Sequence, residues 1–186
     1  LKALIFEEKE LHFDEYNTDK FLAKTLLTAI SPGTEIAAWR GLPHLREGVT
    51  YPRLVGYCNI AKVLKVGDLC EGINPGDIVL TNASHCTHFI QSKKDFFINL
   101  PENSDLERYV TSYLFHLGYS TILAANEPIG SSACIVGMGT LGITSACIAQ
   151  LSGWDVTAIS SQKNLNHIKK KISRVSFKSR NDELIL

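Results

Sequence analysis

Three glycines set the chemistry this sequence can do. In Ala133-Cys134-Ile135-Val136-Gly137-Met138-Gly139-Thr140-Leu141-Gly142 a short apolar run meets Gly-x-Gly-x-x-Gly. Gly137 lets a strand turn sharply, Gly139 removes the side chain where a pyrophosphate must approach backbone, and Gly142 lets a helix pack close to the strand. The first N–H groups of that helix, with its dipole behind them, then face the phosphates. A helix-like segment follows through Ala146, Ile148 and Leu151, and a second apolar run, Val156-Thr157-Ala158-Ile159, comes after it. Strand, glycine turn, helix and strand in that order read as a dinucleotide site. Its expected contacts are Gly137, Met138, Gly139, Thr140, Leu141 and Gly142, and a glycine-rich packing turn is the alternative.

The end of the second apolar run bears on cofactor choice. A site for NAD places a carboxylate there to accept from the ribose 2′-hydroxyl. This chain has Ser160-Ser161-Gln162-Lys163 and no acid. Nothing repels a 2′-phosphate, and the hydroxyls of Ser160 and Ser161 with Lys163 can hold one. The expected cofactor is NADP(H) in preference to NAD(H). The run Lys169-Lys170-Lys171 reads as a solvated helix face. His85-Cys86-Thr87-His88 carries metal-ligand side chains, but on a strand they alternate between faces. Two donors on one face do not make a metal site, so these read as structural residues.

The elements that must position these groups fall into two patterns. Over the first hundred residues short strands are separated by turns: Lys2–Phe6, Lys24–Ile30, Ile60–Val66, Asp77–Thr81, Thr87–Gln91 and Phe96–Leu100. A helix is expected over Leu106–Leu123, interrupted at Gly118. From Gly130 onward the pattern becomes strand–helix–strand–helix–strand, with Leu165, Ile168 and Ile172 on the second helix and Arg174–Lys178 as third strand. The 186 residues carry zero formal net charge and 20% charged residues, which argues against nucleic acid or a membrane surface as partner. No apolar run approaches membrane-spanning length, and the chain opens on strand-like residues rather than a secretory leader. The five cysteines are odd in number and nowhere in Cys-x-x-Cys spacing, which suits a reduced, cytoplasmic protein.

The order of motifs resembles the medium-chain dehydrogenase/reductases, the superfamily of the zinc-type alcohol dehydrogenases. Its marks here are Lys2-Ala3-Leu4, Thr34-Glu35-Ile36-Ala37-Ala38-Trp39-Arg40-Gly41, Tyr51-Pro52-Arg53-Leu54-Val55-Gly56, Gly76-Asp77-Ile78-Val79 and the glycine turn. The resemblance implies an α/β chain with a GroES-like β-rich domain over residues 1–110, followed by part of a Rossmann domain, doubly wound and parallel, over residues 111–186. It implies an oxidoreductase moving hydride between a nicotinamide cofactor and an alcohol, a carbonyl or an activated alkene. A small-molecule substrate and a homo-oligomer come with it. The Rossmann sheet of the family continues past the third strand, so the chain reads as a fragment of a longer enzyme or a naturally short protein.

The resemblance also locates the departures. Where zinc-dependent members carry Cys-x-Ser/Thr-Asp, this chain has Pro32-Gly33-Thr34-Glu35. Where they carry Gly-His-Glu it has Gly56-Tyr57-Cys58, and the later cysteine falls on His116. A catalytic zinc needs three protein ligands and an open fourth place, so a zinc-lacking member is expected, without the four-cysteine structural zinc lobe. Reduction of a carbonyl still needs a proton for the developing alkoxide. The expected catalytic residues are Tyr57 or His116 as donor, with Thr34 assisting. Alternatively these three are ordinary lining residues, and the chain is a non-catalytic nucleotide-binding protein or truncated pseudo-enzyme. Glu35 reads as a backbone-bonding residue rather than a chemical one.

Overall fold

The computed structural model describes residues 13, 15, 17–42, 54–160 and 175–179. They form two compact units. The first takes residues up to 29 and from 54 to 110; the second takes 30–42, 111–160 and 175–179. The expected strand at Lys2–Phe6 and helix through Leu165 and Ile172 lie outside the described residues.

The first unit is an antiparallel sheet of β1 (Lys20–Thr28), β2 (Asn59–Val66), β3 (Ile78–Thr81), β4 (His88–Ser92) and β5 (Phe97–Asn99), in the order β4-β1-β2-β3-β5. Alternation explains why these segments fold as strands. Phe21 and Ala23 of β1 are fully buried while Lys20 and Lys24 face solvent, the pattern of a sheet with one covered face. Phe21, Ala23, Ala61, Val63, Cys70, Ile73 and Val79 make the core, and Phe21 meets the ring of Phe97 edge-on at 5.4 Å. The turn before β3 is closed by Asp77, whose carboxylate accepts from the Asn74 N–H at 2.8 Å. A short helix α2 (Leu106–Tyr109) follows β5, and the Asp105 side chain caps it by accepting from the Arg108 N–H.

In the second unit β6 (Ser132–Val136), β7 (Asp155–Ser160) and β8 (Val175–Ser179) run parallel, in the order β6-β7-β8. Helix α4 (Thr140–Leu151) connects β6 to β7 and packs on them. Met138, Ala146, Ala149, Trp154, Val156 and Ala158 form the core, with Ile122, Ala133 and Ile135 against it. Helix α3 (Ser112–Ala125) lies on α4. It runs unbroken through Gly118, where an interruption is expected from sequence. The glycine serves close packing instead: a Cβ there would stand 2.6 Å from the Thr144 carbonyl carbon and 2.8 Å from the Ser145 nitrogen. The break in the expected helix falls earlier, between α2 and α3.

The fold is thus mixed α/β, a β-rich antiparallel module followed by a parallel strand–helix–strand unit. One helix was not expected, α1 (Pro32–Trp39). Its signals are present in the sequence: Ser31 at the N-cap and Pro32 at the first helical position. The Glu35 side chain accepts from the Ser31 N–H at 2.8 Å, the backbone-bonding role expected of it.

Candidate functional site: the glycine turn after β6

The turn is built from both ends. The Gly137 N–H still pairs with the Ile159 carbonyl of β7 at 2.8 Å, so the sheet continues into the first glycine, which then turns at φ +97°. Gly139 is the N-cap of α4, and its carbonyl accepts the first helical bond from the Ile143 N–H at 2.9 Å. As a glycine, the N-cap has no side chain with which to cap this end. A helix leaves its opening N–H groups without internal partners, an arrangement that suits an anion.

The three glycines are not equivalent. A Cβ at Gly142 would overlap the Gly137 carbonyl, so only glycine lets the helix start against the strand end. A Cβ at Gly139 would meet nothing within 4 Å, although its backbone (φ −83°, ψ −169°) suits any residue. Among the described residues nothing requires glycine at 139. This is the division of labour expected of a pyrophosphate cradle.

Other expected contacts divide by environment. Met138 is buried in the core, so only its backbone can serve a ligand. Thr140 is half-buried and Leu141 exposed at the helix start. Ser160 ends β7 and is buried. Ser161 and Lys163 lie outside the described residues. A hollow of ≈ 510 Å³ in this unit is bordered by Ser132, Cys134, Asp155, Thr157 and Ser176. It sits at the starts of β6 and β7, away from the glycine turn. A ligand of a parallel sheet belongs at the strands' carboxyl ends, so the turn is the better candidate.

The expected acid–base residues occupy different elements. Tyr57 is half-buried in the first unit, just before β2, while Thr34 on α1 and His116 on α3 are exposed in the second. The His116 ring lies 5.9 Å from that of Tyr113. Pro32, at the first zinc-ligand position, offers no donor atom, and Cys58 is fully buried. Among the described residues no three His, Cys, Asp or Glu side chains stand close enough to hold a metal ion. Among the described residues, Pro32 and its neighbours do not supply the donor set that a zinc would need. His85 and Cys86 stand in the loop before β4 rather than on it, so strand alternation does not apply to them.

No family model matches the chain, and no curated protein does so significantly. Solved structures do. Superposition on 2R,3R-butanediol dehydrogenase from Bacillus subtilis gives a TM-score of 0.77 at 12% identity, covering 95% of this chain and 61% of that one. For galactitol-1-phosphate dehydrogenase from Escherichia coli the TM-score is 0.66 at 16% identity, covering 95% and 57%. For CAD from Helicobacter pylori complexed with NADP(H) it is 0.68 at 15%, covering 86% and 56%. The fold is that of the zinc-type medium-chain alcohol dehydrogenases, with a GroES-like domain leading into a Rossmann unit. The chain spans about three fifths or less of the length of these three structures.

Proposed function

We propose that the protein is an NAD(P)H-dependent oxidoreductase that moves hydride between a nicotinamide cofactor and an alcohol, a carbonyl or an activated alkene, without catalytic zinc. The observation that carries this reading is Gly139: a glycine at the N-cap of α4, where a Cβ would meet none of the described residues and where a phosphate needs backbone. When bound, the cofactor supplies or accepts the hydride. The N–H groups at the start of α4 hold its diphosphate. Ser160, Ser161 and Lys163 hold the 2′-phosphate of NADP(H), the preferred form, as Ser160-Ser161-Gln162-Lys163 at the end of β7 contains no carboxylate. Tyr57 or His116 passes a proton to the substrate oxygen, and Thr34 assists. The unsuited donor set around Pro32 and Cys58 supports chemistry without zinc. A cytoplasmic, homo-oligomeric protein acting on a small molecule is the setting proposed for it.

The same missing ligands favour a second reading, a nucleotide-binding protein without turnover. Assaying the full-length protein with NADPH and NADH against alcohols, aldehydes, ketones and enones separates the two. Turnover by metal-free protein is expected, with the lower KM for NADPH. Tight nucleotide binding without turnover on any member of the panel would establish the second reading instead.

A further inference from the structure

We propose that His85 is a positioning residue for Tyr57, acting through the backbone of Gly56. This role builds on the reading of Tyr57 as a proton donor, and all the groups involved lie in the first unit. The hold on His85 begins at Asn59, fully buried on β2. Its side-chain amide donates to Thr25 Oγ1 at 2.9 Å and to the Ser84 carbonyl at 3.3 Å. The Cys86 thiol donates to the same carbonyl at 3.2 Å. The residue before His85 is therefore anchored to the centre of the sheet.

From that anchor His85 reaches the turn that carries Tyr57 at two adjacent points. Its N–H donates to the Val55 carbonyl at 2.8 Å. Its imidazole fills the space over Gly56: a Cβ on that glycine would stand 2.7 Å from ring atoms Cγ, Cδ2 and Nε2. Gly56 is buried at φ +97°, a conformation that suits glycine, so ring and turn specify one another. Tyr57 follows Gly56 directly in the chain, so the turn that His85 covers sets where its backbone begins. Coverage of Gly56 is what a planar apolar ring in place of the imidazole should reproduce, and loss of the ring should free the turn. A misplacement of this kind costs turnover roughly ten- to a hundredfold.

The test labels the full-length protein with 3-fluorotyrosine and identifies the Tyr57 fluorine resonance as the one lost in Y57F. H85A is expected to shift or broaden that resonance while the other tyrosines keep theirs, and H85F is expected to restore it. With NADPH and the best carbonyl of the substrate panel, kcat should follow the same order while KM for NADPH stays unchanged. A Tyr57 resonance in H85A identical to wild type overturns the proposal, as does H85F being as perturbed as H85A. If H85A does not fold, H85L takes its place, and selective perturbation of Tyr57 supports the proposal where a wild-type resonance overturns it. Wild-type turnover by Y57F would remove the donor role from Tyr57, yet the resonance would still report whether His85 positions it.

Discussion

The carbonyl oxygen of Gly137 occupies the space that a Cβ on Gly142 would need. The strand end and the first turn of α4 are in contact there, backbone to backbone. Neither atom belongs to a flexible side chain, so G142A forces α4 away from β6 and opens the core around Met138 and Ala146. A loss of about 2–4 kcal/mol is expected. Urea unfolding followed by Trp154 fluorescence would measure it, and unchanged stability would contradict the packing described.

Asn59 is expected to matter for stability more than for chemistry. Asn59→Ala removes the amide's bonds to Thr25 Oγ1 and to the Ser84 carbonyl, which keeps only the Cys86 thiol as side-chain donor. The cost should be about 1–3 kcal/mol. Chemical denaturation with an unchanged m-value is the check, and N59A within 0.5 kcal/mol (about the noise of such comparisons) would contradict it.

A pH dependence follows from Asp68. Backbone hydrogen bonds, that from Asn17 foremost, hold its carboxyl below the ordinary value, and Oδ1 accepts from the Thr18 N–H at 3.0 Å. A carboxyl lowered in the folded state stabilises above the unfolded value, about 3.9. That contribution is lost as pH falls through the lowered folded value. D68N should melt below wild type at pH 7, and the gap should close in strongly acidic buffer. Melting curves for both proteins across that range test it; a gap independent of pH would contradict the assignment.

Proton delivery is tested by Y57F combined with H116N in the full-length protein. A fall in kcat of about 10²-fold or more is expected, with NADPH affinity kept. Wild-type turnover in the double variant would assign the proton to another group.

The sequence made the glycine turn legible because its spacing answers to backbone sterics, Gly142 against the Gly137 carbonyl. Strand β2 was legible within a residue of its bounds, whereas β1 begins at Lys20, ahead of the expected start at Lys24, so its buried Phe21 and Ala23 were missed. Helix α1 was missed although Ser31 and Pro32 announce it, because a short segment with a glycine at 33 resembles a turn. Gly118 misled in the other direction, since a glycine required by a helix crossing 26 residues away at Thr144 looks locally like a break. His85 was legible only as a structural residue, and what it packs on was not. Its partner Gly56 lies far off in sequence, and no local pattern tells which glycine a ring will cover. The acid–base residues were placed by resemblance alone, and single-residue chemistry leaves no periodic trace.

Gly139 offers the most direct measurement, because its replacement separates ligand space from folding. Calorimetric titration of NADPH into wild type and G139A is expected to show binding by the first and at least a tenfold weaker Kd (about 1.4 kcal/mol) in the second, at closely similar Tm. Equal affinity in G139A, or no binding of NADPH by wild type, would contradict the assignment of this turn as the diphosphate site.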